Sequence, residues 1–199
     1  MNKVIPNTHG LIIVNLVVVL LCLFIELDLN THAYAWDVTA FNEGRWWVFV
    51  TGSFTHFNAI HAALNLMGLV VITALFKPKA LELAMAIVLA TFGVSAGMYV
   101  LGASSYIGLS GVLHALFCFY ALRGVINGAI ENKILLLGLL LKVGNETLFG
   151  VTDRAIWLIG GEVNTQAHLV ALYLVVVGVI AKMTCFTFEI PTKAKEQYS

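Results

Sequence analysis

Long apolar stretches alternate with short polar segments along this 199-residue chain. Six stretches stand out, at 10–27, 57–76, 81–101, 110–126, 134–150 and 166–186. At ~1.5 Å of rise per residue, each approaches the length needed to cross a hydrocarbon layer ~30 Å thick. Backbone N–H and C=O groups in lipid must be satisfied within their own segment, so each stretch is expected to be a helix. The pattern predicts an all-α membrane protein, one domain over 1–199, with six transmembrane helices and a short polar tail at 190–199. The run at 10–27 follows Lys3 and precedes Ala33-Tyr34-Ala35, which looks like a leader-cleavage site. Glu26, Asp28, Asn30 and His32 separate the two, an acidic and overlong spacer, so the run is expected to stay as the first span.

Composition sharpens this picture. The chain is 60% hydrophobic and 11% charged, with no net charge and a mean hydropathy of +0.91. A soluble domain carries about twice that charged fraction. No basic block is present to displace counterions from a phosphate backbone, which excludes a nucleic-acid partner. The cysteines, Cys22, Cys118 and Cys185, are odd in number and lie inside apolar runs, so they read as small buried hydrophobes. If the N-terminus is cytoplasmic, Lys3, Lys77, Lys79, Arg123, Lys133, Lys182, Lys193 and Lys195 share its side, against Arg45 and Arg154 opposite. That bias places both termini in the cytoplasm and the long loop at 28–55 outside.

With that topology the second, fourth and sixth spans all start on the outer side, and each starts with unusual polar residues. The second carries His56, His61 and Asn65, the fourth Ser110 and His114, the sixth His168. Polar groups in a span are costly and are functional candidates; singly, each could equally be a helix–helix hydrogen bond. His61 and Asn65, four apart, share a helix face. Ser110, flanked by Gly108 and Gly111, sits at a helix start beside unpaired backbone N–H groups, where it could be a plain N-cap or a nucleophile with an oxyanion site. A hydroxyl needs a neighbouring base, and an imidazole such as His168 suits that work. Ala167 and Ala171 would let its helix pack closely on the fourth. Glu26, Glu82 and Glu131 lie elsewhere, so His168 is expected to act without an orienting carboxylate, as a Ser-His dyad. His114 leans back towards Ser110 and is the rival base; packing against His168 or a hydrogen bond is the preferred role for it.

The ordered set Glu43-Gly44-Arg45-Trp46-Trp47, His56, His61-Ala62-Ala63-Leu64-Asn65, Gly108-Leu109-Ser110-Gly111 and Ala167-His168 resembles the rhomboid family of intramembrane serine proteases. The resemblance implies a six-transmembrane-helix rhomboid-like bundle. It implies Ser110 as nucleophile and His168 as base, with His61, Asn65 and the Ser110 N–H around the oxyanion and His56 in support. Three positions depart from the family pattern: Ala171 replaces a glycine, Arg45-Trp46 reverses the usual order, and His114 stands where many members have tyrosine. The Gly-Leu-Ser-Gly-Val-Leu-His string and the compact plan resemble the rhombosortase branch. That implies removal of C-terminal Gly-Gly-type sorting anchors from exported proteins, in a bacterial inner membrane, with the site opening to the periplasmic side. The implied partners are transmembrane or C-terminally anchored protein substrates and the lipid bilayer, with no cofactor or metal. A general rhomboid protease of single-span proteins is the alternative.

Other readings make separate demands. A zinc protease would show His-Glu-x-x-His, which is absent, and Asp28, Asp37 and Asp153 all lie in loops, which leaves no aspartyl pair. A small transporter would line a path with polar residues, for which Lys142 and Glu146 are the best candidates; a helix-end pair with a snorkelling lysine explains them equally. A non-catalytic client-binding relative commonly loses the serine or the histidine, and this chain has both.

Overall fold

The computed structural model describes residues 8–28 and 31–188. The tail at 190–199, and with it Lys193 and Lys195, lies outside the described residues, as do Lys3 and the side chain of Cys185. Six long helices follow the six apolar stretches: α1 (Thr8–Glu26), α4 (Ala59–Phe76), α5 (Ala80–Val100), α6 (Ser110–Ile126), α7 (Ile130–Phe149) and α9 (Thr165–Phe188). Short helices α2 (Val38–Asn42) and α3 (Val48–Thr51) fold the first loop, and α8 (Asp153–Ile159) follows α7 at a bend of 101°. Two-residue strands β1 (Trp36–Asp37) and β2 (Ser105–Tyr106) pair antiparallel, Trp36 opposite Tyr106. The chemistry of the ends explains these limits. The Asn58 side chain accepts from the His61 N–H at 2.8 Å and starts α4. Pro78 cannot continue a helix, and α4 stops at Lys77 in the left-handed region.

Of the long helices, α1, α4, α5 and α9 are long and apolar enough to cross a membrane, and α7 joins them if it and α8 count as one broken span. α6 has 17 residues and is a shorter apolar helix. Its position explains why it can be short. It contributes to all three buried clusters: with α1, α4 and α5 through Val112 and Leu116, with α5 and α9 through Ala115, and with α7 and α9 through Cys118. Large apolar side chains such as Leu20, Val70, Leu89, Leu141 and Val177 instead point outward, as expected where lipid is the solvent. Cys22 and Cys118 are buried free thiols.

α1 is built into this core through Leu11, Val18, Cys22 and Ile25. Close approach elsewhere depends on missing side chains. At Gly97 of α5 a Cβ would stand 2.3 Å from Val170 Cγ1 of α9, and at Gly52 a Cβ would meet the Trp36 backbone nitrogen at 2.6 Å. Trp36, fully buried, anchors the first loop among Phe41, Phe49 and Tyr99, with ring centroids 5.4–6.3 Å apart. By contrast Trp46, one of the loop residues that carry the family resemblance, is 70% exposed, and the Arg45 side chain pairs with Glu43.

Candidate active site

The loop before α6 is held on three sides. The Gly108 N–H donates to the Gly52 carbonyl at 3.0 Å, the Tyr106 hydroxyl donates to the Gly108 carbonyl, and the β1–β2 pairing ties the segment to the first loop. Burial pushes the Tyr106 phenol up to about 12, so it remains a donor. Gly108 itself has φ +112, a backbone region that disfavours any side chain. This bend delivers Ser110 as the first residue of α6. Leu109 takes the capping position and makes no side-chain cap, so the serine hydroxyl is not spent on a helix N-cap.

The hydroxyl meets α9 instead. Ser110 Oγ lies 2.9 Å from His168 Nε2, and His168 is 2% exposed. Ala167 and Ala171 on α9 are fully buried. A Cβ at Gly111 would stand 3.4 Å from Ala167 Cβ and 3.0 Å from the Tyr106 hydroxyl. Three small residues thus set the distance between the two helices, and that distance lets hydroxyl and imidazole touch.

His61 and Asn65 lie on α4 beside the Gly108 bend, both buried. The Phe57 N–H approaches His61 Nδ1 at 3.4 Å as a donor, which in a neutral ring leaves the proton on Nε2. That nitrogen points at Gly108, where a Cβ would be 3.0 Å from it and 3.8 Å from Asn65 Nδ2. Asn65 spends one amide proton on the His61 carbonyl at 3.1 Å and keeps the other. Two side-chain donors therefore flank Gly108, two residues before Ser110. His56 lies behind them, buried, with its ring edge-on to His61 at 5.0 Å. Its own N–H donates to Glu26 Oε1 of α1 at 2.9 Å. Burial, then the neighbouring His61, hold the His56 imidazole down at about 3, so it is neutral.

His114 stacks on His168, ring centroids 3.9 Å apart and planes 15° from parallel. Its Nδ1 lies 2.7 Å from the Ser110 carbonyl, an acceptor, and its Nε2 lies 3.1 Å from the Lys142 ammonium, a donor. The two contacts assign the proton to Nδ1 and leave neither nitrogen free to take one from Ser110.

One expectation is overturned. His168 does have a carboxylate: Glu146 Oε2 of α7 lies 2.9 Å from His168 Nδ1. Its other oxygen holds Lys142 at 2.6 Å. Glu146 is not among Glu26, Glu82 and Glu131, and in the sequence it fits either a transporter path or a helix-end pair with Lys142. Spacing held the missing signal. Leu139 and Val143 are the buried residues of α7, and Glu146 continues that stripe at the next +3 step, so it faces the bundle. His114, Glu146 and His168 bring one potential ligand atom each within 4.8 Å of one another. Every ring nitrogen there is already engaged by Ser110, Glu146 or Lys142, which fits a proton-handling network better than a metal centre.

A cleft of about 490 Å³ lies among the loops before α6 and α9, lined among others by Phe57, Ser105, Tyr106, Glu162 and Asn164. A hydroxyl on an imidazole beside side-chain donors can be activated as a nucleophile. Comparison with protein families gives a match to the Rhomboid domain over residues 43–188, which covers well over half of the chain and leaves α1 outside. Comparison with curated proteins gives no match.

Proposed function

The chain belongs to the rhomboid family, whose members are generally intramembrane serine proteases, and on that premise we propose that it cleaves peptide bonds of membrane-anchored proteins with Ser110 as nucleophile and His168 as general base. The observation that carries this reading is the 2.9 Å contact between Ser110 Oγ and His168 Nε2, at the start of a helix whose first N–H groups have no helical partner.

The steps follow from that contact. His168 Nε2 takes the proton of Ser110 as Oγ bonds to the scissile carbonyl carbon, and the carbonyl π pair moves onto its oxygen. That oxyanion accepts from His61 Nε2, the spare Asn65 amide proton and the Ser110 N–H. The imidazolium then gives its proton to the leaving amine as the C–N bond breaks. Water attacks the acyl-enzyme, its proton passes to His168, and Ser110 Oγ recovers a proton as the acid leaves.

The rhombosortase reading adds a substrate. Small residues such as a Gly-Gly pair unwind a helix readily and present a bare carbonyl to a confined serine. A 17-residue α6 spans only ~25 Å, ~5 Å less than the hydrocarbon layer; in a six-span bundle this leaves room for water above Ser110. On this reading the protein sits in a bacterial inner membrane with both termini cytoplasmic. The site opens to the periplasmic side and releases exported proteins from C-terminal anchors. Lys142, the best support for a transporter, is occupied by Glu146 and His114.

Two measurements test the reading. A fluorophosphonate probe is expected to label the wild-type protein and not Ser110→Ala, and a single-span reporter carrying Gly-Gly before its span is expected to be cut only by the labelled form. Cleavage surviving in Ser110→Ala would end the serine mechanism. Equal cleavage of a Leu-Leu reporter would leave a general rhomboid protease in place of the sorting enzyme.

A further inference from the structure

Resting on the serine-protease reading above, we propose that Glu146, clamped by Lys142, is a positioning residue for His168, so that the site works as a Ser-His-Glu triad with a built-in counter-charge. Four contacts in series carry the inference: Ser110 Oγ to His168 Nε2 at 2.9 Å, His168 Nδ1 to Glu146 Oε2 at 2.9 Å, Glu146 Oε1 to Lys142 Nζ at 2.6 Å, and Lys142 Nζ to His114 Nε2 at 3.1 Å. His114 closes the circuit by holding the Ser110 carbonyl through Nδ1.

The carboxylate does two things that a dyad leaves to chance. It accepts a proton carried on Nδ1, which fixes the ring so that Nε2 presents its lone pair to the serine. When Nε2 takes the Ser110 proton, the new positive charge appears beside a fixed negative one; the Nδ1 proton stays on nitrogen and no proton reaches Glu146. The Lys142 ammonium, one helical turn away, balances the charge of Glu146 and holds its carboxylate in place. The side chain of Lys142 is 51% exposed while that of Glu146 is 16% exposed, so the charge enters from the open side and the acceptor stays sheltered. Histidine at position 114 fits the same plan, because its Nε2 offers Lys142 a second anchor.

The rate of fluorophosphonate labelling separates this role from a structural one, because it resolves the bond-forming step from probe binding. Glu146→Gln is expected to lower the limiting labelling rate at Ser110 about a hundredfold or more, with half-saturating probe concentration within about twofold of wild type. Glu146→Asp should recover at least tenfold over Glu146→Gln. Lys142→Met should cost about tenfold in the wild-type background and nothing further in Glu146→Gln, because it acts through the carboxylate. Glu131→Gln, at the exposed start of α7, should label as wild type. The proposal is overturned if Glu146→Gln labels within threefold of wild type, or if the Lys142 and Glu146 effects are additive. A wild-type protein that is never labelled at Ser110, or whose labelling survives His168→Ala, would instead remove the protease reading itself.

Discussion

His114 lies face to face with His168, 3.9 Å between ring centroids, yet only one of the two touches the Ser110 hydroxyl. The stack gives His168 a flat wall, and the hydrogen bonds of His114 give that wall a fixed angle. His114→Phe keeps the wall and drops both hydrogen bonds; it should retain activity within about tenfold, whereas His168→Ala should abolish cleavage with the fold intact. Turnover of a single-span reporter by the two purified variants checks this. A dead His114→Phe beside an active His168→Ala would reverse the choice of base.

On the proposed mechanism the oxyanion donors are separable. Asn65 keeps one free amide proton beside Gly108, and one such donor contributes about 3 kcal/mol to the transition state. Asn65→Ala should therefore lower kcat by about 10² to 10³ while substrate still binds. Steady-state kinetics in proteoliposomes would expose a different outcome as a rise in KM with kcat unchanged.

Gly108 combines a left-handed backbone with a crowded surround, whereas Gly102 has φ +70 and open space around its Cβ position. Gly108→Ala should cost about 1–3 kcal/mol for the backbone and also displace His61, so activity falls with stability. Gly102→Ala should show the backbone penalty and keep its specific activity. Thermal unfolding and turnover on the same preparations would separate the two.

Stability should depend on pH through His56. Its folded value, about 3, lies below the ordinary 6.5, so the unfolded chain binds a proton first. The stabilisation from a neutral buried ring is full above about 6.5 and is lost as pH falls towards 3, by at most about 1.4 kcal/mol per pH unit for one proton. His56→Phe should flatten that part of the curve of unfolding midpoint against pH. An unchanged slope would assign the acid sensitivity to other groups.

The sequence was readable wherever one residue type decided the matter. Apolar length marked the long helices, and Ser110, His168, His61 and Asn65 announced themselves because polar residues are rare in such runs. The support of the site was harder to see. Trp36 and Gly52 look like ordinary loop residues until a close approach forces the glycine. Tyr106 acts through a hydroxyl directed at a carbonyl two residues on, which no spacing rule encodes. Glu146 was missed for a different reason: charge at a helix end invites a surface reading, and only the stripe through Leu139 and Val143 points it inward. Trp46, equally conspicuous in the sequence, is exposed and meets the ring of Trp47.

The bond from the His56 N–H to Glu26 reaches outside the stretch that the family shares, since α1 precedes residue 43. The first helix is therefore a working part of the candidate site's floor. A trimmed protein cut to the shared boundary, or a chimera given a foreign first helix without an acid at its end, would leave that amide proton with no acceptor directly beneath the histidine against which His61 leans.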